Sequence, residues 1–188
     1  CERGFLCGMV SEEKAFRLCP AFTPMEERDA LLEQTRRYFT NYGPTSIRDA
    51  AYYFDTSQAE IKKRLARLSV EVAECEGQRL FSLHSGRMPE QAIPDCLLLA
   101  GFDPLVLGYE KKQSIFLPQE YLRGIFSLSG IVMPPVLLHG SVAGRWKHSG
   151  KHLLITQFRP FSQEERGFAE AAAAQLWGEA VQPVFQDA

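Results

Sequence analysis

The sequence predicts an α+β fold, a winged helix-turn-helix followed by a small β-rich, barrel-like domain with a C-terminal helix. Three observations predict it. Residues 23–68 hold three stretches with helix-capping signals and apolar residues at helical spacing. Residues 70–83 alternate as a two-stranded ribbon does. Residues 136–158 then read as three short strands ahead of one last amphipathic stretch.

Composition sets the limits. The 188 residues allow one large domain or two small ones, and 45% hydrophobic with 23% charged residues is ordinary for a soluble globular protein. The longest apolar runs, 96–100 and 132–138, fall far short of the roughly 20 residues that span a bilayer. Nothing at the start reads as a signal peptide, so an intracellular, cytoplasmic protein is expected. Five cysteines (Cys1, Cys7, Cys19, Cys75, Cys96) form no CxxC pair and leave an odd one out. That pattern suits reduced structural thiols better than a zinc knuckle or a disulfide framework.

Residues 3–10 and 15–19 suit two strands joined by the polar turn Ser11-Glu12-Glu13. A lone hairpin is marginally stable in water, so it must pair with later parts of the chain or with residues upstream. A chain that opens on Cys1 without methionine favours the upstream partner, and cutting from a longer protein is expected.

Thr23-Pro24-Met25-Glu26 combines an N-cap, a first-turn proline and a capping-box glutamate, and predicts a helix to about Tyr42 with Leu31, Thr35, Tyr38, Phe39 and Tyr42 on one face. Gly43-Pro44 stops it. Ser46-Ile47-Arg48-Asp49 caps a second helix, with Ile47, Ala50, Ala51 and Phe54 inward. After the Asp55-Thr56 turn, Ser57 and Glu60 cap a third helix to Leu68, with Ile61, Leu65 and Leu68 inward. Its outer stripe carries Lys63, Arg64 and Arg67, with Lys62 to one side. Val70, Val72, the Glu76-Gly77 turn and residues 79–83 complete the ribbon.

In winged helices the third helix can enter the major groove, where lysines and arginines meet phosphates or guanine edges. A charged outer face is also simply a solvated one, and many winged helices bind proteins. The sequence pI near 6.1 and the acids Glu71, Glu74 and Glu76 weigh against phosphate contact.

Further on, residues 94–108 read as a buried apolar stretch, 113–117 as a short strand and 121–128 as a helix. Residues 136–139, 142–147 and 152–158 predict antiparallel strands joined by His139-Gly140 and Ser149-Gly150 turns. Ser162-Gln163-Glu164-Glu165 caps a final helix with Phe168, Ala171, Ala172, Gln175 and Leu176 on its apolar face. No Asp or Glu occurs between Glu120 and Glu164, whereas Arg123, Arg145, Lys147, Lys151 and Arg159 do. Arg145-Trp146-Lys147-His148 with Lys151-His152 places cations beside an aromatic at a hairpin tip, either a phosphate-contacting edge or one that keeps a sheet soluble. His148 and His152 have zinc-helix spacing, but the Gly150 turn argues against a helix, so no metal site is expected. Asp103 before Pro104 is a helix cap or, in its apolar setting, a candidate acid.

Residues 38–45 (YFTNYGPT) with the helix-turn-helix after them, 99–109 (LAGFDPLVLGY) and 135–146 (PVLLHGSVAGRW) together resemble the AlkZ/YcaQ-like winged-helix DNA glycosylases. The resemblance spans nearly the whole chain but only about the C-terminal half of a typical member. It implies tandem winged helices followed by a barrel-like domain, acting on alkylated or crosslinked bases, and makes residues 1–22 the wing of a preceding winged helix. The family's Gln-x-Gln or Gln-x-Asp catalytic pair is absent, since no glutamine here is followed two positions later by Gln or Asp. No catalytic residue can be assigned.

The expected organisation is therefore a wing hairpin (1–22), a winged helix-turn-helix (23–87) and a β-rich domain (88–188). The expected partner is double-stranded DNA, contacted by Arg48, Lys62, Lys63, Arg64 and Arg67 and by Arg145, Lys147 and Lys151. No membrane, metal or small-molecule cofactor is expected. The role implied is in base-excision repair, without catalysis by this chain alone. A transcriptional regulator and a winged-helix protein-interaction scaffold are the alternatives, the first weakened by the lack of a long dimerisation helix.

Overall fold

The computed structural model describes residues 6–9, 15–75, 77–83, 93–150, 152–178 and 181–188. The chain divides into two compact units, Cys1–Gln34 and Thr35–Ala188. Within the first, β1 (Leu6–Gly8) and β2 (Phe16–Leu18) form an antiparallel hairpin with Cys7 opposite Arg17. Helix α1 (Glu27–Asn41) begins there and ends in the second unit. It starts later than the Thr23-Pro24 signal predicts, with the Glu26 carbonyl accepting from Ala30. Residues 21–29 are all exposed, so no packing supports an earlier first turn, and capping alone does not offset the cost of nucleation.

The second unit is a mixed α+β body. Helix α2 (Ile47–Tyr53) opens on a complete capping box, Ser46 accepting from the Asp49 amide and the Asp49 carboxylate accepting from the Ser46 amide. Helix α3 (Gln58–Leu65) is capped by Ser57 and ends before Leu68, because residues 66–68 close as a turn. Tyr38, Phe39, Ala50, Ala51, Ile61 and Leu65 are the buried centre of this helical part. The ribbon β3 (Glu71–Cys75) and β4 (Gln78–Ser82) folds back onto it, since Phe81 exchanges both backbone hydrogen bonds with Thr45 and joins the same core.

The rest of the unit is built on one antiparallel-to-mixed sheet: β5 (Cys96–Leu98), β6 (Pro135–Leu138), β7 (Ser141–Ser149), β8 (His152–Gln157) and β9 (Gln182–Asp187), in that order. The expected barrel is not there, for among the described residues no sheet closes. Closure would need β9 to pair with β5, but α6 (Gln163–Trp177) returns the chain so that β9 runs parallel to β8, and the helix packs on both edge strands. Residues 182–187 escaped the sequence reading because Pro183 disfavours a strand. It is tolerated here because β9 is an edge.

Three other expectations change. Residues 113–117 are not a strand, since the Ser114 hydroxyl takes the Phe116 amide and gives that segment a local alternative. The helix expected over 121–128 is only a 3₁₀ turn (Gln119–Tyr121) running into α5 (Leu122–Ile125). The buried face of α6 is centred on Ala169 and Ala173, flanked by Phe168, Ala172 and Trp177, while Leu176 is 56% exposed. Small alanines let the helix approach the sheet closely, and that requirement outweighs the larger apolar side chains in setting its rotation. The His139-Gly140 turn forms as read: both residues have positive φ and Leu138 pairs with Ser141, as a two-residue hairpin of type I′ requires.

Two tyrosines join the helical part to the sheet-bearing part. The Tyr38 hydroxyl donates to the Gly108 carbonyl (2.7 Å), and the Tyr109 hydroxyl donates to the Tyr42 carbonyl (2.7 Å). Burial pushes the Tyr38 hydroxyl far above the ordinary tyrosine range and that of Tyr109 up to about 12, with the Asp49 charge adding to both, so each remains a donor. Gly108, which ends α4 (Pro104–Leu107), lies against Tyr42 so closely that a β-carbon would come within 2.2 Å of the ring.

Gly108→Ala should therefore cost about 1–3 kcal/mol through overpacking, and Tyr38→Phe a similar about 1–3 kcal/mol by leaving the Gly108 carbonyl without its donor. Urea midpoints read both, and unchanged midpoints would contradict this packing. A second expectation concerns acid. Arg159 forms a fork on Glu165 (2.9 and 2.5 Å), lowering that carboxyl to about 2. Because the folded value lies below the unfolded one, the stabilisation is complete above about pH 4.3 and is lost as pH falls toward 2. Glu165→Gln should flatten that part of the stability profile.

Candidate nucleic-acid interface

The residues expected to contact DNA fall into three groups with different freedom. On α3, Ile61 and Leu65 are buried, which turns Lys63 outward, and Arg67 is exposed in the turn that follows. The Lys63 side chain is 78% exposed, with Nζ 3.8 Å from Glu60. Arg64 is different: only 11% of its side chain is exposed and its Nε donates to Glu60 at 3.2 Å, so its charge is largely answered within the helix.

Arg48 and Lys62 lie elsewhere. Lys62 is one residue round from Lys63, a rotation of about 100°, and faces α2 and the ribbon instead of the outer side. There it lines, with Arg48, Gln58, Gln78 and Arg79, an open hollow of about 360 Å³ floored by Phe81. The capping box just before it places Arg48: Ser46 and Asp49 fix the first turn of α2, and Arg48 is carried half-buried into the hollow. Its Nε is buried without a hydrogen-bond partner among the described residues. Arg79 was read in the sequence only as part of a strand. The alternation of Arg79 and Phe81 on one face of β4 was the available signal, and it is realised here with the guanidinium 5.7 Å from the centre of the Phe81 ring.

The C-terminal hairpin behaves differently from its sequence reading. Arg145 and Lys147 share one face of β7, while Trp146 and His148 share the other. Lys147 is exposed, but Arg145 is half-buried and donates to the Gly124 carbonyl at 3.3 Å. Trp146 is not an accessible stacking platform: its indole donates to the Leu99 carbonyl (2.8 Å) and its ring packs edge-on against Trp177. His148 stacks flat on the same Trp177 ring at 4.7 Å. Lys151 lies outside the described residues.

Two candidate chemistries find their places. Asp103 caps α4, its carboxylate accepting from the Leu105 amide at 2.9 Å. His148 pairs with Leu153 across the hairpin, so His152, next along β8, points to the opposite face and the two imidazoles do not converge. Among the described residues no three His, Cys, Asp or Glu side chains gather as metal ligands, and no helix is long and apolar enough to cross a membrane. What the surface offers is a set of cations from three elements, an arrangement suited to holding an anion.

Comparison with known proteins adds the remaining findings. Residues 3–178 match the family described as DNA glycosylase AlkZ-like. The chain is 28% identical over 139 residues to an interstrand DNA cross-link repair glycosylase of Streptomyces sahachiroi, an alignment covering 70% of this chain and 37% of that protein. Its fold is similar to the solved structure of Streptomyces sahachiroi DNA glycosylase AlkZ, with a TM-score of 0.76 at 21% identity, over 99% of this chain and 55% of that one. The chain thus matches between about a third and a half of the length of these relatives.

Proposed function

The chain belongs to the AlkZ-like DNA glycosylase family, and from that premise we propose that it is the duplex-DNA-binding part of a base-excision repair protein. The observation that carries this reading is the cationic surface of α2, α3 and β4, where Lys63 is exposed and Arg48, Lys62 and Arg79 line one hollow. Helices α1–α3 followed by the β3–β4 ribbon supply the order of a winged helix, in which α3 would enter the major groove. In this reading residues 1–22 are the wing hairpin of a preceding winged helix, 23–87 the complete one, and 88–188 the C-terminal domain.

Lys63, whose contact with Glu60 is loose and exposed, and Arg67, in the turn after α3, are placed to approach the duplex from the helical part, and Lys147 from the sheet. Arg64 and Arg145 contribute less, because each already has a partner. Glycosidic cleavage needs a group to activate or place water and another to stabilise developing charge on an everted base. In this reading base removal depends on protein beyond this chain.

Fluorescence-anisotropy titration against a labelled duplex tests the proposal. If about four phosphates are neutralised, log K falls against log salt with a slope near −3.6. The Lys63→Ala/Arg67→Ala variant should flatten it by about two. Absence of binding at low salt would contradict the reading and favour a protein-binding scaffold. On an alkylated duplex the chain alone should produce no abasic sites above the uncatalysed background. Abasic-site formation that follows protein concentration would refute the division of labour proposed here.

A further inference from the structure

Resting on the DNA-binding reading, we infer that the hollow between α2, α3 and β4 seats one phosphodiester group of the bound duplex, with Arg48, Lys62 and Arg79 as positioning residues. Three cations from three separate elements line it, and among the described residues no Asp or Glu does. Three of the nearby acids among the described residues are accounted for. Asp49 accepts from Ser46, Thr45 and the Glu110 amide. Glu60 is paired with Arg64 and Lys63. Glu74 is opposite Arg79 on the same face of the ribbon, but is not among the residues that line the hollow. Like charges gathered around one concavity repel each other, and an anion placed among them relieves that repulsion.

The geometry narrows the class of anion. Arg48 is half-buried, and its Nε–H is buried with no acceptor among the described residues, so its guanidinium is already partly desolvated beside the hollow. Arg79 is held over the Phe81 ring, which limits the freedom it would lose on binding. Gln58 and Gln78 add neutral amide donors at the rim. A guanidinium fork suits phosphate oxygens, and the apolar floor strengthens each contact by lowering the local dielectric. Gln58, Lys62, Gln78 and Arg79 are exposed, so the hollow is open along its rim and admits a continuous backbone. Its cations flank the outer stripe of α3. They would fix the register of the duplex without reading its sequence.

The test uses the full chain with Arg48→Gln, Arg79→Gln and the double variant, each checked for an unchanged urea midpoint, on two labelled duplexes of different sequence. Arg79→Gln is the safeguard, since that side chain is exposed and its loss is structurally mild. Because one phosphate is shared, each single variant should flatten the salt slope by about 0.9 and the double variant by the same amount. Both duplexes should weaken equally. Additive flattening in the double variant would mean two separate contacts and overturn the single seat. An unchanged slope, with Lys63→Ala/Arg67→Ala still flattening it, would overturn the seat while leaving DNA binding intact. No binding by the parent chain would overturn both. Inorganic phosphate at constant ionic strength supplies the last arm. Stabilisation of the parent but not of Arg48→Gln, with equal duplex affinities, would assign the hollow to a small free phosphate and refute the inference.

Discussion

The carboxylate of Asp49 holds together the parts on which the proposed surface depends. One oxygen accepts from the Ser46 amide at 3.1 Å, from the Ser46 hydroxyl, and from the Thr45 hydroxyl at 3.4 Å. The other accepts from the Glu110 amide at 3.0 Å, 61 residues away. A buried carboxylate is costly unless its oxygens are answered, and here several donors from two parts of the chain do so. Breaking any one of them leaves a buried charge short of its partners, which makes the junction all-or-none.

From this junction the geometry runs outward. Thr45, held by Asp49, is also the residue that pairs with Phe81 and so anchors the ribbon. Ser46 starts α2 and sets where Arg48 emerges. The hollow is thus the space left between α2, α3 and a ribbon fixed at Thr45, and Arg48 takes its place in it from the first turn of α2 that Asp49 caps. On the sheet side, the Glu110 contact and the tyrosines at 38 and 109 carry the same constraint into α4 and the segments packed under the sheet.

Much of the helical part was legible because its signals are local. The Ser46 and Ser57 caps lie within three residues of their partners, and the inward positions follow helical spacing. The failures are non-local. Nothing near Asp49 reveals that its second oxygen serves Glu110. The α6 face was misjudged because side-chain size was weighed over the close approach that Ala169 and Ala173 permit. Strand β9 was invisible because its edge position, which excuses Pro183, exists only once the sheet has assembled. Trp146 looked like an available aromatic and is used for packing, a distinction that spacing does not carry.

The claim most open to direct attack is that the helical part from Thr35 onward and the sheet-bearing part are one body because of Asp49. Both tryptophans, Trp146 and Trp177, lie in the sheet-bearing part, so their fluorescence reports its unfolding, while far-UV circular dichroism also reports α1–α3. Urea unfolding of the parent chain, followed by both probes, should give coincident transitions. In Asp49→Ala the two curves should separate, with the ellipticity loss beginning at lower urea. Coincident curves in the variant with an unchanged midpoint would contradict the account.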